Sequence, residues 1–142
     1  MRYLGLDLGS RTLGVAISDK TGLIASSLKV IRHEEEYDRL LDEVKNLVNE
    51  LEVDAIVLGF PKNMNNTIGP KGELSLDFKE KLEKILDIPV YLQDERLSTK
   101  SALDTLIQGD VSRKNRKKVV DSLAATIILQ SYLDRRNWYE EK

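Results

Sequence analysis

Three apolar runs, Tyr3 to Leu8, Gly14 to Ser18 and Leu23 to Ile31, precede any helical periodicity in the chain. Only the short polar turns "GSRT" and "DKTG" part them, so each strand must fold back beside its predecessor as an antiparallel meander. Gly22 can supply the positive φ of the second turn. From Glu34 to Leu51 the pattern changes: Tyr37, Leu40, Leu41, Val44, Leu47, Val48 and Leu51 recur at helical spacing, with charges on the opposite side. "AIVLG", Ala55 to Gly59, is a continuous apolar run of the kind a strand covered on both faces requires. A polar loop from Phe60 to Gly72 then leads to a helix carrying Phe78, Leu82 and Ile85 on one face, and "PVYLQ", Pro89 to Gln93, supplies a further strand. Two helices close the chain, the first from about Ser98 to Gln108 and stopped at Gly109, the second from about Ser112 to Asp134.

A meander followed by strand, helix, strand and helix predicts an α/β fold of ribonuclease H-like order. Its mixed five-stranded sheet has three antiparallel strands, then two parallel ones, with helices on both faces. The 142 residues suit one domain, expected over 1–136 with a C-terminal tail at 137–142. In open sheets of this kind a site forms where the carboxyl ends of the strands diverge, so the loops after the first, fourth and fifth strands should converge.

Composition narrows the chemistry. With no cysteine the chain makes neither disulfides nor thiolate metal sites, which fits a reducing cytoplasm. No run approaches the roughly 20 apolar residues that span a bilayer, and the first residues do not read as a leader, so no membrane partner is expected. The formal net charge of -2 is the wrong sign for a protein coated in phosphate contacts. Any nucleic-acid surface must therefore be local.

Asp7 is the first candidate residue. It stands inside an apolar strand, where a carboxylate without a partner or metal costs several kcal/mol, and it shares its face with Tyr3, Gly5 and Gly9. Glycines beside an acid point to close approach by a metal or phosphate, although an ion pair with Arg11 or Arg96 would also explain the acid. "QDERLST", Gln93 to Thr99, brings two more acids to the end of the fifth strand, and alternation lets only one of Asp94 and Glu95 face Asp7. Helix capping and a surface ion pair account for the same letters. Asp121 lies among Val119, Val120, Leu123, Ala124, Ile127 and Ile128. The small Ala124 and Ala125 would let this helix approach the sheet, unless Asp121 simply pairs with Lys117 and Lys118.

The run "RKNRKK", Arg113 to Lys118, occupies the first turns of that helix, where the macrodipole disfavours cations, and so fits a surface turned toward phosphate or acids. His33, the one histidine, reads as a capping or solvated residue at a helix start. "KEKLEK" reads as a solvated helix face, and Trp138 and Tyr139 as packing or tail.

In this order, "GLDLGSRTLGVAISD", "GFPKNMNNT", "QDERLST" and "KKVVDSLAATIILQSYL" resemble the motifs of the YqgF family of RuvC-like, ribonuclease H-fold nucleases, over nearly the whole chain from Arg2 to about Leu133. The resemblance implies a cytoplasmic, divalent-metal-dependent endonuclease. The family is associated with maturation of the small-subunit ribosomal RNA precursor and with Holliday junction resolution, so precursor RNA, branched DNA and ribosomal particles are the implied partners. It further implies Asp7, Glu95 and Asp121 as catalytic residues and as ligands of Mg2+ or Mn2+. Arg11, Arg96, Arg113, Lys114, Arg116, Lys117 and Lys118 are then available to hold phosphates. In two respects the chain departs from the pattern: Asn66 stands where the family usually has glycine, and where RuvC-type resolvases carry a further acid in the last helix, here Ala124 and Ala125 follow Asp121 by one turn and Lys117 and Lys118 precede it.

Two other readings fit parts of the chain. The opening hairpin also resembles the phosphate-binding hairpin of the actin and sugar-kinase ATPases, but one domain leaves no second lobe to clamp a nucleotide. A non-catalytic RNA-binding module of ribosome assembly would keep the basic run alone. A dimer, which a symmetric junction requires, has no apolar patch in the sequence to mark it.

Overall fold

The computed structural model describes residues 1–9, 11–61, 68–94 and 113–140; within the last stretch the side chains described are those of residues 123–136. Strands β1 (Tyr3–Leu8), β2 (Thr12–Ser18), β3 (Ala25–Arg32), β4 (Ala55–Phe60) and β5 (Val90–Asp94) form one sheet in the order β3-β2-β1-β4-β5. The first three pair antiparallel, and β4 joins β1 and β5 in parallel. Helices α1 (Tyr37–Leu51) and α2 (Pro70–Ile85) lie on one face, and α3 (Arg113–Glu140) lies on the other. This is the mixed, ribonuclease H-like sheet that the element order predicts. The helix expected over Ser98–Gln108 lies outside the described residues.

Strand alternation sorts the core into two clusters. Leu4, Leu6, Leu8, Leu13, Val15, Ile56, Leu58 and Val90 turn toward α1 and α2, where Leu40, Val44, Phe78 and Leu82 meet them. Tyr3, Ala16, Ala55 and Val57 turn the other way, onto Ala125, Ile128, Leu129 and Leu133 of α3. On that second face the approach is close. A Cβ at Gly5 would sit 2.7 Å from the Cβ of Leu129 and 3.2 Å from the carbonyl oxygen of Ala125. The space that Gly5 leaves beside Asp7 is thus taken by a helix rather than by a ligand, and of the two small residues expected to allow that approach it is Ala125 that meets Gly5.

Element ends differ from the sequence reading for local reasons. Helix α1 starts at Tyr37, not Glu34, because Glu35 takes a φ of 69° and breaks the helical run before it. Leu23 and Ile24, expected to open β3, lie exposed in the preceding turn. There Asp19 accepts hydrogen bonds from both their backbone N–H groups and from the Thr21 hydroxyl, and Gly22 has a φ of 73°. Ile85 points to solvent, and the inward face of α2 runs instead through Gly72, Ser75, Phe78 and Leu82. The outward face is solvated as expected, with Lys79–Glu83, Lys81–Asp77 and Lys84–Glu80 pairs. With no Gly or Pro after Asp134 to stop it, α3 continues to Glu140.

Candidate active site

Asp7 lies one residue from the end of β1, opposite Gly14 of β2, half-buried and on the α3 side of the sheet. What stands above it follows from how α3 crosses β1. Tyr3 meets Tyr132 with ring centroids 6.0 Å apart, and the Arg136 guanidinium lies 5.2 Å from the Tyr3 ring. Two residues further along β1, Gly5 meets Leu129 and Ala125. The helix therefore runs antiparallel to the strand. The next step along β1, about 6.6 Å, reaches Asp7; the next turn of α3, about 5.4 Å, reaches position 121. Regular spacing would thus carry the backbone of position 121 toward the height of Asp7; the Asp121 side chain is outside those described. Continuing in the same direction, α3 carries Arg113, Lys114, Arg116, Lys117 and Lys118 past the end of β1, again as backbone positions.

The fifth strand resolves one ambiguity. Tyr91 stacks on Tyr132, and Gln93 accepts a hydrogen bond from Arg135 at 3.0 Å, so both face α3. Val90 and Leu92 pack into the opposite core. Alternation then puts Asp94 on the α1–α2 side, level with its register partner Phe60, which lies beside Gly72 of α2. Of the two acids that the sequence left open, Asp94 is therefore on the wrong face for Asp7. Glu95, Arg96 and Asn66 lie outside the described residues. Of the three expected ligands Asp7 alone has a described side chain, and among the described residues no three acids or imidazoles gather into a metal cluster.

Arg11 is exposed in the β1–β2 turn, at the same end of the sheet as Asp7. That turn is held by a residue that sequence reasoning assigned to solvent or capping. His33 is only 4% exposed. Its Nδ1 accepts the Glu35 backbone N–H at 3.0 Å, which leaves the proton on Nε2, where it is donated to the Gly9 carbonyl oxygen at 3.0 Å. The His33 backbone N–H donates to the Arg11 carbonyl at 2.9 Å, and the Gly9 N–H donates to Thr12 at 2.7 Å. His33 thus pins the turn that follows Asp7 from two points. Counting along the hairpin without interruption from Ser18 opposite Ala25 would set Arg32 level with Arg11; the irregularity between Val15 and Ala16 shifts the register by one and brings His33 there instead.

A cavity of about 270 Å³ lined by Arg2, Lys20, Leu51, Glu52 and Asp54 lies at the opposite end of β1, away from these groups. Among the described residues no helix is long and apolar enough to cross a membrane.

Comparison with known proteins agrees with the fold. The family model described as RuvX, Holliday junction resolvase, matches residues 1–135. A relative in Listeria monocytogenes is 54% identical over 138 residues, 96% of this chain and all of its own length. One in Bacillus subtilis is 52% identical over the same share. Both are provisionally named pre-16S rRNA nucleases. Among solved structures, RuvC of T. thermophilus in complex with a Holliday junction substrate superposes with a TM-score of 0.61 over 96% of each chain at 18% identity, a likeness of fold. Over residues 1–135, nearly its whole length, the chain belongs to the RuvX (YqgF) family.

Proposed function

We propose that this protein is a metal-dependent endonuclease that hydrolyses phosphodiester bonds in structured RNA, with the 5′ end of the small-subunit ribosomal RNA precursor as its target. The observation that supports the reading is the close packing of α3 on β1 at Gly5, from which regular helix and strand spacing would carry Asp121 toward the height of Asp7. The names of the 54% and 52% identical relatives support the choice of RNA.

Asp7, Glu95 and Asp121 offer carboxylate oxygens only, a donor set that suits the hard cations Mg2+ and Mn2+. Such an ion, when bound, supplies an activated water and charge stabilisation at phosphorus. The remaining work falls to the chain. Asp7 is held rigidly, inside a paired strand and beneath a helix that touches the backbone two residues away. Arg11, in a turn clamped by His33, is available to meet a phosphate, and Arg96 with the basic run at 113–118 supplies further cations for that role. Because this charge is local, the net charge of -2 is no obstacle.

A second reading, cleavage of branched DNA, is favoured by the family description and by the RuvC likeness. The two part in one assay. Purified protein is given a 5′-extended precursor of small-subunit ribosomal RNA and, separately, a four-way DNA junction, each with Mg2+, Mn2+ or EDTA. The proposal expects metal-dependent cleavage of the RNA, abolished by Glu95→Gln and by Asp121→Asn but retained in Asp94→Asn. Cleavage confined to the junction would replace the first reading with the second. Metal-independent binding of RNA without cleavage would leave a non-catalytic assembly factor.

A further inference from the structure

The α3 side of the sheet carries a second kind of surface, one that the acids do not use. Tyr91, in the edge strand β5, is 40% exposed. Its ring lies nearly parallel to that of Tyr132, with an interplanar angle of 18° and centroids 5.5 Å apart. Tyr132 leans in turn on Tyr3, and the Arg136 guanidinium lies against the Tyr3 ring. Arg135 is exposed beside them, its guanidinium held by Gln93.

Each feature has a consequence. A tyrosine stacked on one face has lost most of its rotational freedom before anything binds, so a further ring added to the stack meets a prepared surface. Nothing in a β-sheet edge requires an exposed, stacked aromatic, and strand edges are more often blunted by charge. An aromatic face with an arginine one helical step away is the combination that holds unpaired nucleotides: bases of any sequence stack on the ring, and the cation meets the backbone. The placement is coherent with a substrate. Tyr91 and Asp7 face the same side, and Tyr91 lies about 10 Å along β5 from Asp94, at whose end of the sheet Asp7 sits.

We infer that Tyr91 and Arg135 form a platform for an unpaired nucleotide of the substrate strand, with the base stacked on Tyr91 and a phosphate on Arg135. The inference rests on the nuclease reading for the identity of that strand, but the contact itself does not depend on cleavage.

The test is binding without chemistry. Fluorescence anisotropy in EDTA compares a labelled ten-nucleotide single-stranded RNA, DNA of the same sequence and a blunt DNA duplex. Tyr91→Ala is expected to weaken single-strand binding at least about fivefold, as loss of one stacked base should, with the duplex unchanged. Tyr91→Phe should bind as wild type, and Tyr91→Val, which suits a strand, should reproduce the alanine loss if the alanine variant folds poorly. Arg135→Gln should weaken binding and lower its salt dependence by about one ion. RNA and DNA single strands responding alike would support stacking; RNA alone responding would support it and add a ribose contact. Equal affinity of wild type and both Tyr91 truncations would overturn the inference. So would an equal loss on the duplex, a wild type that binds no single strand, or a wild-type dimer that Tyr91→Ala splits, since that would assign the ring to a second copy of the chain. If the cleavage assay fails while Tyr91-dependent binding stands, the nuclease reading falls and the platform remains.

Discussion

The two faces of this sheet are built from different residues, often neighbours in the same strand. Toward α1 and α2 the strands present Leu4, Leu6, Leu13, Val15, Ile56 and Leu58, all fully buried. Toward α3 they present Gly5, Ala16 and Ala55, which let the helix backbone come close, alongside Tyr3, Asp7 and Gln93, which carry polar atoms. Bulk on one side supplies stability, since each large aliphatic group removed from water contributes about 1.5–3 kcal/mol. Closeness on the other side supplies position, because a helix resting on glycine and alanine has little room to slide. A single residue step, from Leu6 to Asp7, moves from one task to the other.

The comparison is broken most forcefully from the bulky side. Leu58→Ala, at a position with 0% exposure, is expected to lower unfolding free energy by about 2–5 kcal/mol in a urea titration. A loss well under 1 kcal/mol would mean that the α1–α2 cluster is not the principal core. On the close-packed side Gly5→Ala is expected to lower stability less, by about 1–3 kcal/mol, because its new Cβ would stand 2.7 Å from the Cβ of Leu129 and one of the two must move. The same variant should lose more nuclease activity than its residual folded fraction explains, since the element displaced is the helix proposed above to carry Asp121 toward Asp7. Activity falling only in step with folding would dissolve the link between close packing and the site.

The smallest expected effect concerns the other acid of the opening stretch. Asp19 sits at the end of β2 and is accounted for by its turn: the Thr21 hydroxyl first, then the backbone N–H groups around it, hold its carboxyl at about 2, below the ordinary 3.8. Folding thus favours the charged form, so the turn keeps its full stabilisation above about pH 4 and loses it as pH falls toward 2. The amide signals of Leu23 and Ile24 should titrate together with a midpoint near that lowered value and should stop titrating in Asp19→Asn. A midpoint at the ordinary carboxylate value would mean that the turn does not hold the charge.

How much of this was legible beforehand follows from how local each signal is. The bounds of β1 and the end of α1 are written in period-2 and helical periodicity, which a strand or helix imposes on its own residues. The acids at Asp7 and Asp121 are visible because apolar neighbours make them conspicuous. The role of His33 is not visible, because it depends on a hairpin register that an irregularity displaces. The use of Gly5 was misjudged for a related reason: the sequence announces close approach at that position but does not name the partner, and the partner is Leu129 and Ala125, more than a hundred residues away. Likewise, alternation said that only one of Asp94 and Glu95 could face Asp7, and it took the stack of Tyr91 on Tyr132 to say which side Asp94 occupies.

The central claim is that the α3 side of the sheet holds chemistry and that Asp7 is its fixed point. Single-turnover cleavage of precursor RNA by Asp7→Asn, measured beside its thermal melting, addresses that claim most directly. The expected result is a protein that still melts in one cooperative transition, together with a fall in cleavage of more than about 100-fold. Cleavage at the wild-type rate by a stably folded Asp7→Asn protein would contradict it.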